Sequence, residues 1–308
     1  MNKIKQVDQI LAKIKKEHPS LRIGIGLSTN YERIPTPFPS LNTLIGGGFP
    51  RSKFTTVCGA EQTGKGTSVL QTIAHNQAED SDFIALWLDA EGAFEAQWAE
   101  QLGLDMDRII LLEYDSEYAK NAENLLQIAL DLFEQKVIDM CVIDSISALL
   151  PKGEDEKDLE GSTMMETARL MGKFFRKAIR LIRPDGDFKG TACVLIGQVY
   201  NVPSHSNVTL TEVRGGNAVK HWAHLRLKTR RGNKDEFTSA PENITQPDGE
   251  VKKLSRGWAQ HLKLEKTRCN DKEGQEVILQ FFHGRGLDST NSAITTLLAH
   301  LSLIHIWR

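Results

Sequence analysis

Between Phe54 and Ile196 the apolar positions fall in short runs, separated by stretches with helical spacing. The runs Phe54–Cys58, Phe83–Leu88, Ile109–Leu112, Val137–Ile143 and Thr191–Ile196 read as strands. Between them Ser68–Gln77, Phe94–Leu102, Ala122–Glu134 and Met164–Ile182 read as helices. Strand and helix in alternation predict an α/β fold, a mostly parallel sheet flanked by helices. Beyond residue 220 the pattern turns β-rich at His224–Thr229, Ala259–Glu265 and Val277–Phe282, which predicts antiparallel strands toward the C-terminus. The polar stretch Asn233–Arg256 reads as a loop. At the other end, Ile4, Val7, Ile10, Leu11 and Ile14 share one helical face, with lysines on the other, ahead of a Pro-rich stretch (Pro35, Pro37, Pro39). Such a helix either packs on its own domain or serves as an arm that docks on a neighbouring subunit.

Bulk properties narrow the class only slightly. A chain of 308 residues holds one large α/β domain with small appendages, or two domains. Hydrophobic residues make up 40% and charged residues 25%, ordinary for a globular protein. With 38 Lys plus Arg against 40 Asp plus Glu, any case for a nucleic-acid partner rests on where the charges lie. The four cysteines have no metal-ligand spacing, and three sit in apolar runs, so buried reduced thiols are expected. The chain shows no membrane-length apolar run and no signal-peptide core, so a cytoplasmic protein with no membrane partner is expected.

The chemistry begins at Gly59–Thr67, GAEQTGKGT, which lies between a predicted strand and a predicted helix. This is the context of a phosphate-binding P-loop. Gly59 and Gly64 let the backbone turn its N–H groups toward one anion, and the helix that follows adds its positive end. Lys65 is a mobile point charge for the terminal phosphates. Glu61, Gln62 and Thr63 complete the loop. Gly66 stands where the usual pattern has a hydroxyl that holds Mg²⁺, and Thr67 follows one residue later.

Three further strand ends carry polar groups. Val137–Ile143 runs into Asp144, placed to bind Mg²⁺ as in a Walker B site. Phe83–Leu88 runs into Asp89, which caps the next helix, and Glu91, placed to orient or deprotonate an attacking water. The third ends at Gln198, a neutral side chain able to touch a γ-phosphate and pass a signal to the segment behind it. That segment, Val199 to Gly216, carries no secondary-structure signal. From Val213 to Lys234 there is no acidic residue but seven basic ones, and Arg169, Lys173, Arg176, Arg180 and Arg183 share one face of the Met164–Ile182 helix. Two basic elements beside ATPase strands point to a phosphate backbone.

With GAEQTGKGT, LDAEGAF, CVIDSISALLPK, IGQVYN and RGGNAVKHWAHLRLKTRR in this order, the chain resembles the bacterial RecA-type recombinases from about Ile34 to Leu287. The resemblance implies a P-loop RecA-like core that binds ATP and Mg²⁺. Gly59, Glu61, Gln62, Thr63, Gly64, Lys65, Gly66 and Thr67 would hold the nucleotide, with Thr67 and Asp144 at the metal. Glu91, Gln198 and Lys65 would carry catalysis, and Trp98 would pack on adenine with Glu95 nearby. Lys266 and Arg268 would reach the ATP of an adjacent subunit. Met164, Arg169, Arg176, Gly215 and Gly216 would contact DNA, with Glu154–Met164 as a first DNA loop and Val199–Gly216 as a second.

The implied activity is a DNA-dependent ATPase that forms helical filaments on single-stranded DNA and exchanges strands with duplex DNA. The alternatives are a RecA-fold mediator or helicase-type ATPase, and a slowly hydrolysing ATP-dependent DNA-binding scaffold favoured by Gly66. By region, residues 1–33 are expected to form a docking arm and linker, 34–288 the ATPase core, and 289–300 the start of a truncated C-terminal region. Residues 301–308 include LSLIHI, which a sequencing-adapter end also encodes, so this stretch is expected to be an artefact.

Overall fold

In a computed structural model of the chain, the described residues are 9–10, 12–14, 16, 32–114, 119–155, 166–202, 210–213, 216–239, 242–245 and 251–306. The chain divides into two compact units, residues 1–31 and residues 32–308. In the first, residues 9–10, 12–14 and 16 are helical (α1), with Ile10 exposed.

The second unit begins with β1 (Arg33–Ile34), α2 (Pro39–Ile45), β2 (Phe49–Pro50), β3 (Phe54–Gly59) and α3 (Lys65–Glu79). It continues through β4 (Ala85–Asp89), α4 (Ala96–Gln101), β5 (Ile109–Glu113), α5 (Ala122–Glu134), β6 (Met140–Asp144), α6 (Lys152–Asp155) and α7 (Glu166–Leu181). Then come β7 (Ala192–Val202), β8 (Leu210–Val213), α8 (Gly216–Trp222) and β9 (Ala223–Arg231). The last part holds β10 (Glu242–Thr245), β11 (Val251–Leu254), β12 (Gly257–Thr267), β13 (Glu276–Phe282), β14 (Gly286–Leu287) and α9 (Ser289–Ile306).

Among the described residues ten strands form one sheet in the order β14, β13, β12, β9, β3, β7, β6, β4, β5, with β8 attached to β7. From β9 to β5 neighbouring strands are parallel, whereas β12, β13 and β14 run antiparallel to their neighbours. The fold class is therefore the expected one: a mostly parallel sheet with antiparallel strands toward the C-terminus. Its central strands are apolar at successive positions because helices cover both faces. Val57, Trp87, Val142, Val194 and Leu227 pack with residues of α2 and α3 on one side. Cys58, Leu88, Ile143 and Leu195 pack with α5 and α7 on the other. Phe175 of α7 is fully buried, edge-on to Phe54 at 4.8 Å and stacked on Trp222 at 6.0 Å. Burial of one such side chain contributes about 1.5–3 kcal/mol.

Three local expectations are corrected. The run from Val137 joins the sheet only at Met140. Val137 is exposed, and Asp139 accepts hydrogen bonds from Arg51 (2.8 Å) and the Ile84 N–H (3.1 Å) at the entrance to the sheet. The stretch Asn233–Arg256 is not wholly a loop, since it contains the antiparallel hairpin β10–β11. The segment Val199–Gly216 likewise has structure: β7 continues to Val202 and pairs antiparallel with β8, Val199 opposite Val213. β8, β10 and β11 have only four residues each, too few to show an apolar face in sequence, so backbone pairing makes them strands. The four cysteines are free thiols; Cys58, Cys141 and Cys193 are buried and Cys269 is partly so. Burial pushes the Cys58 thiol up to about 11, which makes it an inert core residue.

Candidate nucleotide and nucleic-acid site

Three parallel strands, β3, β6 and β4, end at one edge of the sheet, and β7 passes between β3 and β6 there on its way to Val202. Gly59 of β3 lies opposite Gln198 of β7, and Asp144 of β6 lies opposite Asp89 of β4. Parallel strands all carry their carboxyl ends to the same edge, so residues far apart in sequence converge there. Glu91, just past the tip of β4, accepts hydrogen bonds from the Ser145 hydroxyl and from Gln198 Nε2 (3.2 Å). Gln198 is itself fixed from behind, its N–H donating to Ser147 Oγ at 3.1 Å. Asp89 accepts from the N–H groups of Ala93 (3.2 Å) and Phe94 (2.9 Å), so it orders the turn into α4.

Between β3 and α3 the chain makes the tight turn the glycine pattern predicts. Gln62 (φ 54°) and Gly64 (φ 76°) both adopt left-handed backbone, and Gly64 caps α3. The first turn of α3 has no acidic residue, so its positive end is not neutralised from within. Lys65 Nζ donates to the carbonyls of Gly59 (3.1 Å) and Ala60 (2.6 Å), folded over its own loop. Burial lowers the Lys65 pKa, with the carboxylates of Asp144 and Glu91 acting in the opposite sense. Burial first, then the nearby charges of Glu91 and Asp89, push Asp144 up to about 7, with Lys65 opposing. The site thus holds one cation facing carboxylates that repel each other, a balance that an added cation would shift.

The residues fit a nucleoside triphosphate with Mg²⁺. A Cβ on Gly59 would lie 2.1 Å from Thr229 Oγ1, so only glycine lets β9 close on the loop. A Cβ on Gly66 would lie 3.7 Å from Asp144 Oδ2, which places this residue against the carboxylate and leaves room for a side chain. Thr67 follows on the first turn of α3, partly exposed. Among the described residues no three of His, Cys, Asp and Glu gather as a metal cage. Mg²⁺ needs none, since it is commonly held by one or two carboxylates together with phosphates and water. Within the loop, Glu61 and Gln62 are exposed and Thr63 is buried.

Trp98 and Glu95 belong to α4, where Glu95 is the N-cap residue and Trp98 is half-buried against the core. Leu102, one turn on, faces α3 and β14: a Cβ on Gly286 would lie 2.7 Å from Leu102 Cδ2 and 2.9 Å from Gln71 Oε1. Gln71 of α3 in turn bonds both the N–H and the carbonyl of Leu287, each at 2.9 Å. The Trp98 side of α4 therefore borders the helix that follows the P-loop.

Lys266 and Arg268 are not at this edge. Lys266 pairs with Arg226, and Arg226 with Thr56, whereas the P-loop departs from Gly59 at the far end of β3. Instead, Lys266 Nζ donates to Lys220 O (2.7 Å) and Arg268 Nη2 to His221 O (3.3 Å), capping the carboxyl end of α8.

On the opposite face of the sheet, Arg169, Lys173, Arg176 and Arg180 of α7, and Arg183 beyond it, are exposed, while Met171, Phe175 and Ala178 are buried. Gly172 brings α7 against α8, since a Cβ there would lie 3.5 Å from Arg176 Nη1 and 3.9 Å from Ala218 Cβ. Gly216 is the first residue of α8. Met164 and Gly215, with most of the proposed first loop, lie outside the described residues. Sequence reasoning passed over Thr229, Gln260 and Ser147 and gave Ser145 no role. The position of Ser145 directly after Asp144 was a usable signal; Thr229, between Lys228 and Arg230, and Gln260, between Ala259 and His261, stand within mixed polar and apolar strands and gave none.

A family model described as the RecA N-terminal domain matches residues 5–260. The chain belongs to the RecA family. Curated relatives named Protein RecA include that of Bacteroides thetaiotaomicron, 32% identical over 232 residues, covering 74% of this chain and 67% of the relative. That of Acinetobacter baumannii is 30% identical over 302 residues, covering 95% of this chain and 78% of the relative. That of Cytophaga hutchinsonii is 33% identical over 232 residues, covering 75% and 62%. RecA family members are DNA-dependent ATPases that bind ATP with Mg²⁺, bind DNA and form filaments. No helix among the described residues is long and apolar enough to cross a membrane.

Proposed function

We propose that this chain is an ATP-dependent recombination protein of the cytoplasm. It would assemble on single-stranded DNA as a helical filament and promote homologous pairing and strand exchange with duplex DNA. One observation carries the reading most directly. Gln198, which touches Glu91, lies on the same strand as the β7–β8 hairpin, and that hairpin leads into α8 beside the basic face of α7. A change at the nucleotide is thereby tied through one strand to the surface proposed for DNA.

In this reading Lys65 and the backbone of residues 59–67 bind the phosphates, while Thr67 and Asp144 serve the metal ion. Bound Mg²⁺ would supply charge neutralisation for phosphoryl transfer. Glu91 orients and accepts a proton from water, held in place by Ser145 and Gln198. Trp98 offers an indole face to adenine, with Glu95 beside it. Arg169, Arg176, Gly215, Gly216 and Met164 take the DNA strand. Because Lys266 and Arg268 sit at the far end of the sheet from their own P-loop, a role at ATP requires a second copy of the chain, which favours assembly.

A D-loop assay tests the reading together with DNA-stimulated ATP hydrolysis by Glu91→Gln. Pairing activity in the parent and loss of turnover in the variant are expected. Turnover unchanged in Glu91→Gln would sink the assigned mechanism, and ATPase without pairing would favour a mediator or helicase-type role. Gly66 favours a second reading, a filament that binds ATP and hydrolyses it slowly, since the loop brings no hydroxyl at the position facing Asp144.

A further inference from the structure

Polar side chains in the middle of strands are unusual in a covered sheet, and two of them meet the P-loop. Thr229 of β9 is 2% exposed and Gln260 of β12 is fully buried. Gln260 Nε2 donates to the Thr63 carbonyl at 2.6 Å, across 197 residues of chain. Thr63 donates its hydroxyl to Ala60 O at 2.8 Å and meets the Thr229 hydroxyl at 2.7 Å. Gly59 is pressed against Thr229, and a Cβ on Gly64 would lie 3.0 Å from Gln260 Nε2 and 3.2 Å from Trp258 Cη2. Trp258 is fixed in turn, stacked on Phe281 at 4.8 Å and covered by the Arg231 guanidinium at 4.6 Å.

Gln260 also carries a cost. Its Oε1 is buried and has no hydrogen-bond partner among the described residues. An unmatched buried acceptor costs about 1–3 kcal/mol. Stability of the sheet alone would favour an apolar side chain of the same volume at this place.

We infer that Gln260, with Thr229 behind it, is a positioning residue for nucleotide binding: it sets the orientation of the Thr63–Gly64 peptide. In a planar trans peptide the carbonyl and the following N–H point in opposite directions. Holding the Thr63 carbonyl toward β12 turns the Gly64 N–H away from β12. A P-loop needs its N–H groups turned together toward the anion, because one carbonyl turned inward would oppose the phosphate. The contact also explains why the brace comes from this side of β3: β9, parallel to β3, and β12, antiparallel to β9, pass beside the loop and offer side chains where β3, β6 and β4 offer their ends. This inference rests on the nucleotide-binding part of the proposed function and on nothing about DNA.

The test measures equilibrium binding of a fluorescent ATP analogue without DNA, alongside the melting temperature of the nucleotide-free protein. Gln260→Leu is expected to bind at least about tenfold more weakly, with its melting temperature kept within about 4 °C of the parent. In steady state its KM for ATP is expected to rise while kcat at saturation stays within about threefold, because the N–H contacts the phosphates in ground and transition states alike. Thr229→Val, of similar volume, should weaken binding about threefold in the same assay, which covers the case in which Gln260→Leu does not fold. Affinity within about twofold of the parent in a folded Gln260→Leu, or a lowered melting temperature with unchanged affinity, would overturn the inference. If Gln260→Leu does not fold, an unchanged affinity in Thr229→Val would do the same. Failure of the parent to bind ATP would overturn the inference and the proposed function together. ATP binding without strand exchange would remove the proposed function and leave the role of Gln260 standing.

Discussion

The parallel and antiparallel halves of the sheet treat the nucleotide loop in different ways. In the parallel half, β3, β6 and β4 stop at one edge and contribute the loop itself, Asp144 and Glu91 at or just beyond their tips, while β7 contributes Gln198 at the same level and runs on to Val202. In the antiparallel half, β12 runs back past that edge and contributes from its interior, through Gln260, as its neighbour β9, which is parallel to β3, does through Thr229. Strand ends have free space beyond them and suit groups that meet a ligand. Strand interiors are held by hydrogen bonds on both sides and suit groups that hold other protein atoms. The difference teaches that reactive and supporting residues of one site can come from different parts of a strand, and that their sequence signatures differ accordingly.

The largest expected break in this comparison lies on the strand-end side. Glu91→Gln should lower DNA-stimulated phosphate release by about 10²–10⁴-fold, the usual worth of a general base, with ATP binding retained. Next comes the contact between the halves. Gly59→Ala puts a methyl group 2.1 Å from Thr229 Oγ1 and 2.5 Å from Thr229 O. It should lose most ATP binding and about 1–3 kcal/mol of stability by denaturant titration. Adding Thr229→Ala should rescue only in part, since the backbone carbonyl remains.

A smaller effect concerns pH. The Asp144 pKa is raised from 3.8 to about 7 in the folded chain, so the folded state binds more protons than the unfolded state between those values. Stability from this group is therefore greatest at low pH and falls as pH rises through about 7. At pH 8 without nucleotide, Asp144→Asn should be more stable than the parent by about 2 kcal/mol, reduced from the full shift by partial solvation. The gain should shrink toward pH 5, and a chemical-denaturation series across pH checks it. Smallest is Gly66→Thr, for which the 3.7 Å gap to Asp144 leaves room. Turnover should rise about two- to tenfold, one hydrogen bond's worth, in single-turnover hydrolysis. No rise would mean that the missing hydroxyl does not limit the rate.

Much of the fold and of the site was legible because it is local. The alternation of apolar runs and helical spacing marked β3, β4, β5 and β6 to within a few residues, the start of β7, and α5 at both ends. Glycines between a strand and a helix marked the turn at residues 59–67, and polar residues at or soon after the ends of apolar runs marked the positions of Glu91, Asp144 and Gln198, which the structure brings to one edge. The hairpin partner β8 and the hairpin β10–β11 were not legible, because strands of four residues are made by pairing and are too short to carry an apolar period. Lys266 and Arg268 were legible as a basic pair; only the register of β12 on β9 puts them beneath α8, at the end of the sheet away from the P-loop.

The sequence by itself determined the class of fold, the glycine-rich turn between β3 and α3 and the polar residues near the strand tips, since each depends on neighbours within a few positions. The tertiary structure alone decided that Ser145 and Gln198 grip one carboxylate, that Gly66 faces Asp144, and that Thr229 and Gln260 hold a loop up to 197 residues away. These contacts run across neighbouring strands, and the order and register of strands are set by packing of the whole sheet rather than by any segment of the chain.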